Sequence, residues 1–135
     1  MNSLLPSHEG MLPYWLLLIS LFSVMNTVQC YRTKSFALRT YEGPASASQV
    51  TDFGARMFGT WTCLSCVVRI FAAYNIGNRE VYLLALWTYL IALGHFASEW
   101  MAYGTMKAGK GLAPVLIVAG GSVCWMITQW NFYVE

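Results

Sequence analysis

The chain has 135 residues, of which 57% are hydrophobic and only 10% charged, with a formal net charge of +2. An ordinary soluble domain carries roughly 25% charged residues, and a chain this short exposes too large a share of its area to hide so apolar a composition in water. A bilayer removes that conflict by serving as the apolar solvent, while so small a net charge without a dense basic patch argues against nucleic acid as a partner.

A spanning helix needs about 20 mostly apolar residues, and four segments meet that length. The first runs from about Leu12 to Tyr31, with Pro13 in its first turn, where the missing N–H costs little. No positive stretch precedes it and the apolar run has full spanning length, so it is read as a span and not as a cleavable signal. The connection from Arg32 to Phe53 is polar and carries a Gly43-Pro44 turn. The second span covers about 54–74, and Ser46 with Gln49 forms a capping box that would let this helix begin earlier, on the membrane surface. Asn75-Ile76-Gly77-Asn78 is turn chemistry, since Gly and Asn take left-handed conformations readily. The third span covers about 79–103, a Gly/Lys loop follows from Gly104 to Gly111, and the fourth span covers about 112–132 with Pro114 in its first turn. Trp and Tyr gather near the span ends, as an aromatic belt does. The expected fold is an all-α membrane protein, a four-transmembrane-helix bundle that forms one domain over 1–135.

Four spans place the termini and the 75–78 turn on one side and the two longer loops on the other. Arg32, Lys34, Arg39, Arg56, Lys107 and Lys110 lie toward the loop side, against only Arg69 and Arg79 toward the other. The bias of basic residues predicts cytosolic loops and lumenal termini.

Polar and ionisable groups inside spans are costly and are functional candidates by default. Folding the second and third spans about Gly77 brings Arg56 level with Glu99, and His95 level with Gly59. Ala55, Gly59 and Cys63 would let those two helices approach closely. Together with Asn26 and Gln29 of the first span, the expectation is a polar layer near the loop-side boundary made of Asn26, Gln29, Arg56, Thr60, His95, Ser98 and Glu99. Three roles are open to it: fastening the bundle, proton transfer by His95 and Glu99, or contact with a lipid or partner helix. Arg69 faces away from the layer and is expected to snorkel to headgroups.

Other chemistry is thin. Cys63-Leu64-Ser65-Cys66 is a C-x-x-C, but mid-helix in lipid it reads as small structural residues, not as a redox pair. With two histidines, His8 and His95, a histidine-rich iron site cannot be assembled. Gly109 to Pro114 lacks the strand and the last glycine of a nucleotide fingerprint, and no serine has a nucleophile-elbow context. No metal and no cofactor are expected.

Ala55-Arg56-Met57-Phe58-Gly59-Thr60-Trp61-Thr62 with Val67-Val68-Arg69 resembles the second-span signature of the ergosterol biosynthetic protein 28 family. Leu86-Trp87-Thr88 through Leu93-Gly94-His95-Phe96-Ala97-Ser98-Glu99 resembles its third-span signature, and Asn26-Thr27-Val28-Gln29, Tyr103-Gly104-Thr105 and Ala113-Pro114 also fit. The resemblance covers roughly Tyr14 to Leu116. It implies a non-catalytic scaffold of the endoplasmic reticulum membrane. The partners it implies are the sterol C-4 methyl oxidase, the C-3 dehydrogenase/decarboxylase and the 3-keto reductase, with the C-24 methyltransferase in fungi. Self-association is left open. The chain ends without a basic retrieval signal, so retention in that membrane is expected to come from partners or from the spans. The rival expectation is a membrane-embedded sterol-binding protein or enzyme using His95 and Glu99. A channel is disfavoured, because the polar layer stays in one half of the bilayer.

Overall fold

The computed structural model describes residue 6 and residues 10–134, so His8 lies outside the described residues. Seven helices follow in chain order: α1 (Leu12–Arg32), α2 (Ser35–Thr40), α3 (Ser46–Gln49), α4 (Asp52–Tyr74), α5 (Arg79–Met101), α6 (Leu112–Thr128) and α7 (Trp130–Tyr133). No strand occurs among the described residues. The protein is a helical membrane bundle: α1, α4 and α5 are each long and apolar enough to cross a bilayer, and α6 is a shorter apolar helix.

Local chemistry sets the helix ends. Pro13 opens α1, and the free N–H of Leu12 is capped from afar by the Tyr133 hydroxyl at 3.2 Å. Thr51 caps α4 by accepting from Gly54 N–H at 2.9 Å, with Asp52 in the first turn where the helix dipole favours an acid. The Ser46–Gln49 capping box does not start this helix. Those residues form the separate turn α3, where Ser46 Oγ donates to the Gly43 carbonyl, and extended backbone at Val50 and Thr51 intervenes. Asn78 caps α5 through Val81 N–H at 3.2 Å, and the 75–78 turn is anchored by Ile76, which is 2% exposed.

The fourth apolar helix ends at Thr128 instead of continuing to Phe132. Thr128 Oγ1 back-bonds to the carbonyls of Cys124 and Trp125, and the chain turns at Gln129 into α7. The turn carries Tyr133 into the core, where its ring stacks on Tyr82. Seventeen residues give α6 a length of about 26 Å, slightly less than a hydrocarbon core of roughly 30 Å.

Two helix pairs build the bundle. In the first, α1 and α4 pack with small residues between them. Gly59 lies against Cys30 and Thr27, and Thr27 Oγ1 donates to the Gly59 carbonyl at 2.9 Å. Cys66 Sγ donates to the Ser20 carbonyl in the same interface. In the second, α5 and α6 are joined by Tyr82, whose hydroxyl donates to the Met126 carbonyl at 2.7 Å. The small residues of α4 therefore serve its contact with α1, not the expected contact with α5, and Cys63 is exposed. The reason is steric. Toward α5, α4 presents Phe58 and Trp61, whose rings meet Phe96 at 6.3 and 6.0 Å and hold the two helices apart.

Candidate functional site

The polar residues singled out in the spans fall into separate groups. On the α1/α4 side, Asn26 Nδ2 donates to Thr62 Oγ1 at 3.1 Å, and Tyr31 and Thr60 share an exposed hydroxyl–hydroxyl bond of 2.6 Å. Gln29 Oε1 accepts from Arg39 of α2 at 3.5 Å, the limit of a useful bond. On the α5 side, His95 Nε2 lies 2.6 Å from the Tyr41 hydroxyl, and Ser98 Oγ donates back to the His95 carbonyl. The Glu99 carboxylate accepts from Thr105 Oγ1, and the Glu99 carbonyl accepts from Thr105 N–H.

Arg56 does not join Glu99. Its side chain is exposed, it makes no ion pair among the described residues, and the carboxylate it was expected to meet is held by Thr105. Helix rotation explains the miss. Phe58 is the α4 residue that faces α5, and Arg56, two residues away, points about 200° around the helix. Arg69, expected to snorkel, is instead 6% exposed. Its Nε donates to Thr88 Oγ1 at 3.0 Å, and its guanidinium sits 3.9 Å over the ring of Tyr89.

The most elaborate site sits at the loop end, around His95. The imidazole is boxed by aromatic edges, with Tyr41 at 5.8 Å, Trp61 at 5.3 Å and Phe96 at 5.1 Å between centroids. Tyr41, His95, Glu99 and Thr105, with Phe58 and Trp61, line a cavity of about 420 Å³. Burial first, then the Glu99 carboxylate and Cys30, push the Tyr41 phenol above its ordinary value, so it stays protonated as a donor for the ring nitrogen. His95 and Glu99 stand one turn apart on α5, each bonded to a different loop. Among the described residues no three metal-ligating side chains gather anywhere.

The connecting segments supply these partners because they fold back under the bundle. Gly43 N–H donates to the Thr105 carbonyl at 2.8 Å, and Ala45 N–H to the Gly104 carbonyl at 2.9 Å. Gly111 N–H donates to the Glu42 carboxylate at 3.2 Å. Gly104 takes a positive φ of 73° to make the turn, and Gly43 is packed so closely on Gly104, Thr105 and Met106 that a Cβ has no room. The two loops thus form one platform, with Arg39, Lys107 and Lys110 exposed. The sequence does not single out Tyr41, and names Thr105 only within Tyr103-Gly104-Thr105, because both lie in segments without periodicity. The close glycines and Glu42 were the only signal there.

Fold and site together define a polytopic helical membrane protein with an interlocked loop platform over a half-buried Tyr–His pair. The chain belongs to the family described as Erg28 like protein, whose model matches residues 12–124. It is similar to ergosterol biosynthetic protein 28 of Candida albicans, at 46% identity over 99% of this chain and 96% of that one. The Saccharomyces cerevisiae protein of the same name is 38% identical, over 93% of this chain and 84% of its own. The Homo sapiens homolog is 39% identical, over 87% and 84%. No solved structure matches.

Proposed function

We propose that this chain serves sterol biosynthesis as a non-catalytic membrane scaffold, in line with the ergosterol biosynthetic role in its relatives' names. The observation that carries the reading is the platform. Two loops that would otherwise be free are hydrogen-bonded to each other and to α5 at one end of the bundle, which presents a rigid surface beside wide apolar helix faces. Holding successive enzymes together raises the effective concentration of each for the next. The partners are the sterol C-4 methyl oxidase, the C-3 dehydrogenase/decarboxylase, the 3-keto reductase and, in fungi, the C-24 methyltransferase. The chain resides in the endoplasmic reticulum membrane, with the platform cytosolic and the termini lumenal, as the basic residues of the loop end favour.

The test is affinity purification in mild detergent, with recovery of the sterol enzymes measured for variants whose 33–51 or 104–111 loops are exchanged. Lost recovery at normal protein level supports platform docking, and unchanged recovery overturns it. A second reading is favoured by one observation, the Tyr41–His95 bond beside a cavity. If His95→Gln and Glu99→Gln keep enzyme recovery but stop sterol conversion, the loop-end site is chemical or ligand-binding.

A further inference from the structure

A second cavity, of about 470 Å³, lies in the middle of the bundle between the α1/α4 pair and the α5/α6 pair. That volume falls in the range of roughly 300–1,000 Å³ that holds one small molecule. Its exposed wall area is mostly apolar, with Asn26, Thr40 and Thr62 among the lining side chains, and Leu18, Phe22 and Pro114 on its α1 and α6 sides are exposed. Along α4 it extends from Phe58 to Arg69, about 16 Å at 1.5 Å per residue. That stretch is centred on the middle of α4, Asp52–Tyr74, so the cavity lies across the bilayer midplane and holds a body about half as long as a hydrocarbon core of roughly 30 Å.

One end of the cavity is polar in a specific way. Arg69 closes it on α4 and Tyr89 on α5. Arg69 is 6% exposed and its only hydrogen-bond partner among the described residues is Thr88, through Nε. The outer nitrogens of its fork have no carboxylate within ion-pair distance among the described residues. Tyr89 is 1% exposed and its hydroxyl makes no hydrogen bond of good geometry among the described residues, with the Ser122 hydroxyl as its nearest polar neighbour. Ser122, buried behind Tyr89, accepts from Trp15 Nε1 at 2.9 Å. The Tyr89 ring face beneath the guanidinium offsets part of its burial, but a buried guanidinium without an anion remains unfavourable, and a buried hydroxyl without a well-formed bond adds to that cost. Both donors belong to the same cavity. They describe half of a site.

We propose that this cavity binds one amphiphile with a carboxylate head and a compact sterol-type ring body, the carboxylate resting on Arg69 and the Tyr89 hydroxyl. The guanidinium fork matches a carboxylate in two parallel bonds, and the phenol supplies a third. A diacyl phospholipid has two chains where the cavity holds one body. The ring-type body rests on the sterol-biosynthesis reading above, while the acidic head rests on Arg69 and Tyr89.

The experiment uses the full chain in phosphatidylcholine nanodiscs with tritiated cholenic acid, a sterol-ring carboxylic acid, as the probe. The expected result is saturable binding of one probe per chain, with cholesterol, palmitic acid and phosphatidic acid each competing at least about tenfold more weakly. Arg69→Gln lowers affinity about tenfold or more, and Tyr89→Phe several-fold, as loss of charged and neutral hydrogen bonds respectively does. Arg56→Gln, exposed and lining neither cavity, leaves binding unchanged. Tyr89→Phe removes a hydroxyl that makes no well-formed bond among the described residues and keeps the ring beneath Arg69, so the fold is retained, which makes it decisive if Arg69→Gln does not accumulate. Absence of saturable binding, unchanged affinity in Tyr89→Phe, or equal competition by palmitic acid, phosphatidic acid or cholesterol overturns the proposal. The assay contains no sterol enzymes, so a negative result leaves the scaffold reading standing, and lost enzyme recovery leaves this site standing.

Discussion

Gly59→Ala tests the α1/α4 interface directly, because two opposed effects can be given magnitudes. Alanine in place of a mid-helix glycine is worth about 0.8–1 kcal/mol in helix propensity. Against that, a Cβ at Gly59 would stand 2.9 Å from Cys30 Cβ, closer than carbon atoms pack, and 3.4 Å from the Thr27 carbonyl oxygen. Neither neighbour is the far end of a flexible side chain, so the helices must separate. Such overpacking costs about 1–3 kcal/mol. Separation also loosens the Thr27–Gly59 hydrogen bond of 2.9 Å, a contact worth about 0.6 kcal/mol between helices in lipid. The net expectation is destabilisation of about 1–2 kcal/mol. Gly94→Ala and Gly120→Ala provide the contrast, since a Cβ at either meets nothing within 4 Å and only the propensity gain remains. Reversible unfolding in mixed micelles separates the three variants. If Gly59→Ala is as stable as Gly94→Ala, the close approach of α1 and α4 is wrong. Coupling Gly59→Ala to Cys30→Gly removes the clashing atom and should return part of the loss.

Gly43→Ala places a methyl group where the backbone of Thr105 and Met106 lies, at 2.6 Å from the Met106 nitrogen. It should open the 41–49 segment to protease and lower partner recovery, while the helical circular dichroism stays constant. Tyr41→Phe removes the 2.6 Å bond to His95 and should cost about 0.5–1.5 kcal/mol near neutral pH. The Tyr41 phenol is raised by burial, so its contribution is complete below the free-tyrosine value of about 10 and declines as pH rises toward the folded value. The stability gap between wild type and Tyr41→Phe, followed by unfolding at increasing pH, should therefore hold to about pH 10 and then narrow; a gap that widens contradicts the assignment. Arg56→Gln should change stability by less than about 0.5 kcal/mol, because the side chain is exposed and unpaired among the described residues.

The long helices were legible in the sequence because a bilayer imposes length and composition on each span separately. Helix rotation was not legible. Of the stripe through Arg56, Gly59 and Cys63 only Gly59 packs, with Arg56 and Cys63 exposed, and nothing in one sequence says that its partner is the previous helix, α1, and not the next. Glu99 was recognised as unusual from its depth, but its partner Thr105 lies in a loop whose fold depends on glycine contacts with another loop. Arg69 shows the same limit from the other side. It lies five residues from the end of α4, close enough to snorkel by depth, and only the direction of its side chain makes it a buried charge.

The arrangement also explains why the aromatic residues of α4 matter more than its charges. Phe58 and Trp61 border both the loop-end cavity and the central one, and the same two rings press on Phe96. Had small residues faced α5, the two helices would have closed on each other and neither cavity would exist. With Gly59 turned toward α1 and the rings toward α5, the chain gains a tight pair on one side and a held-open gap on the other. A single helix face therefore both fastens the bundle and makes room within it. The shared rings also reach the loop end, since Trp61 meets His95 and Phe58 meets Tyr41, so one aromatic layer borders both cavities.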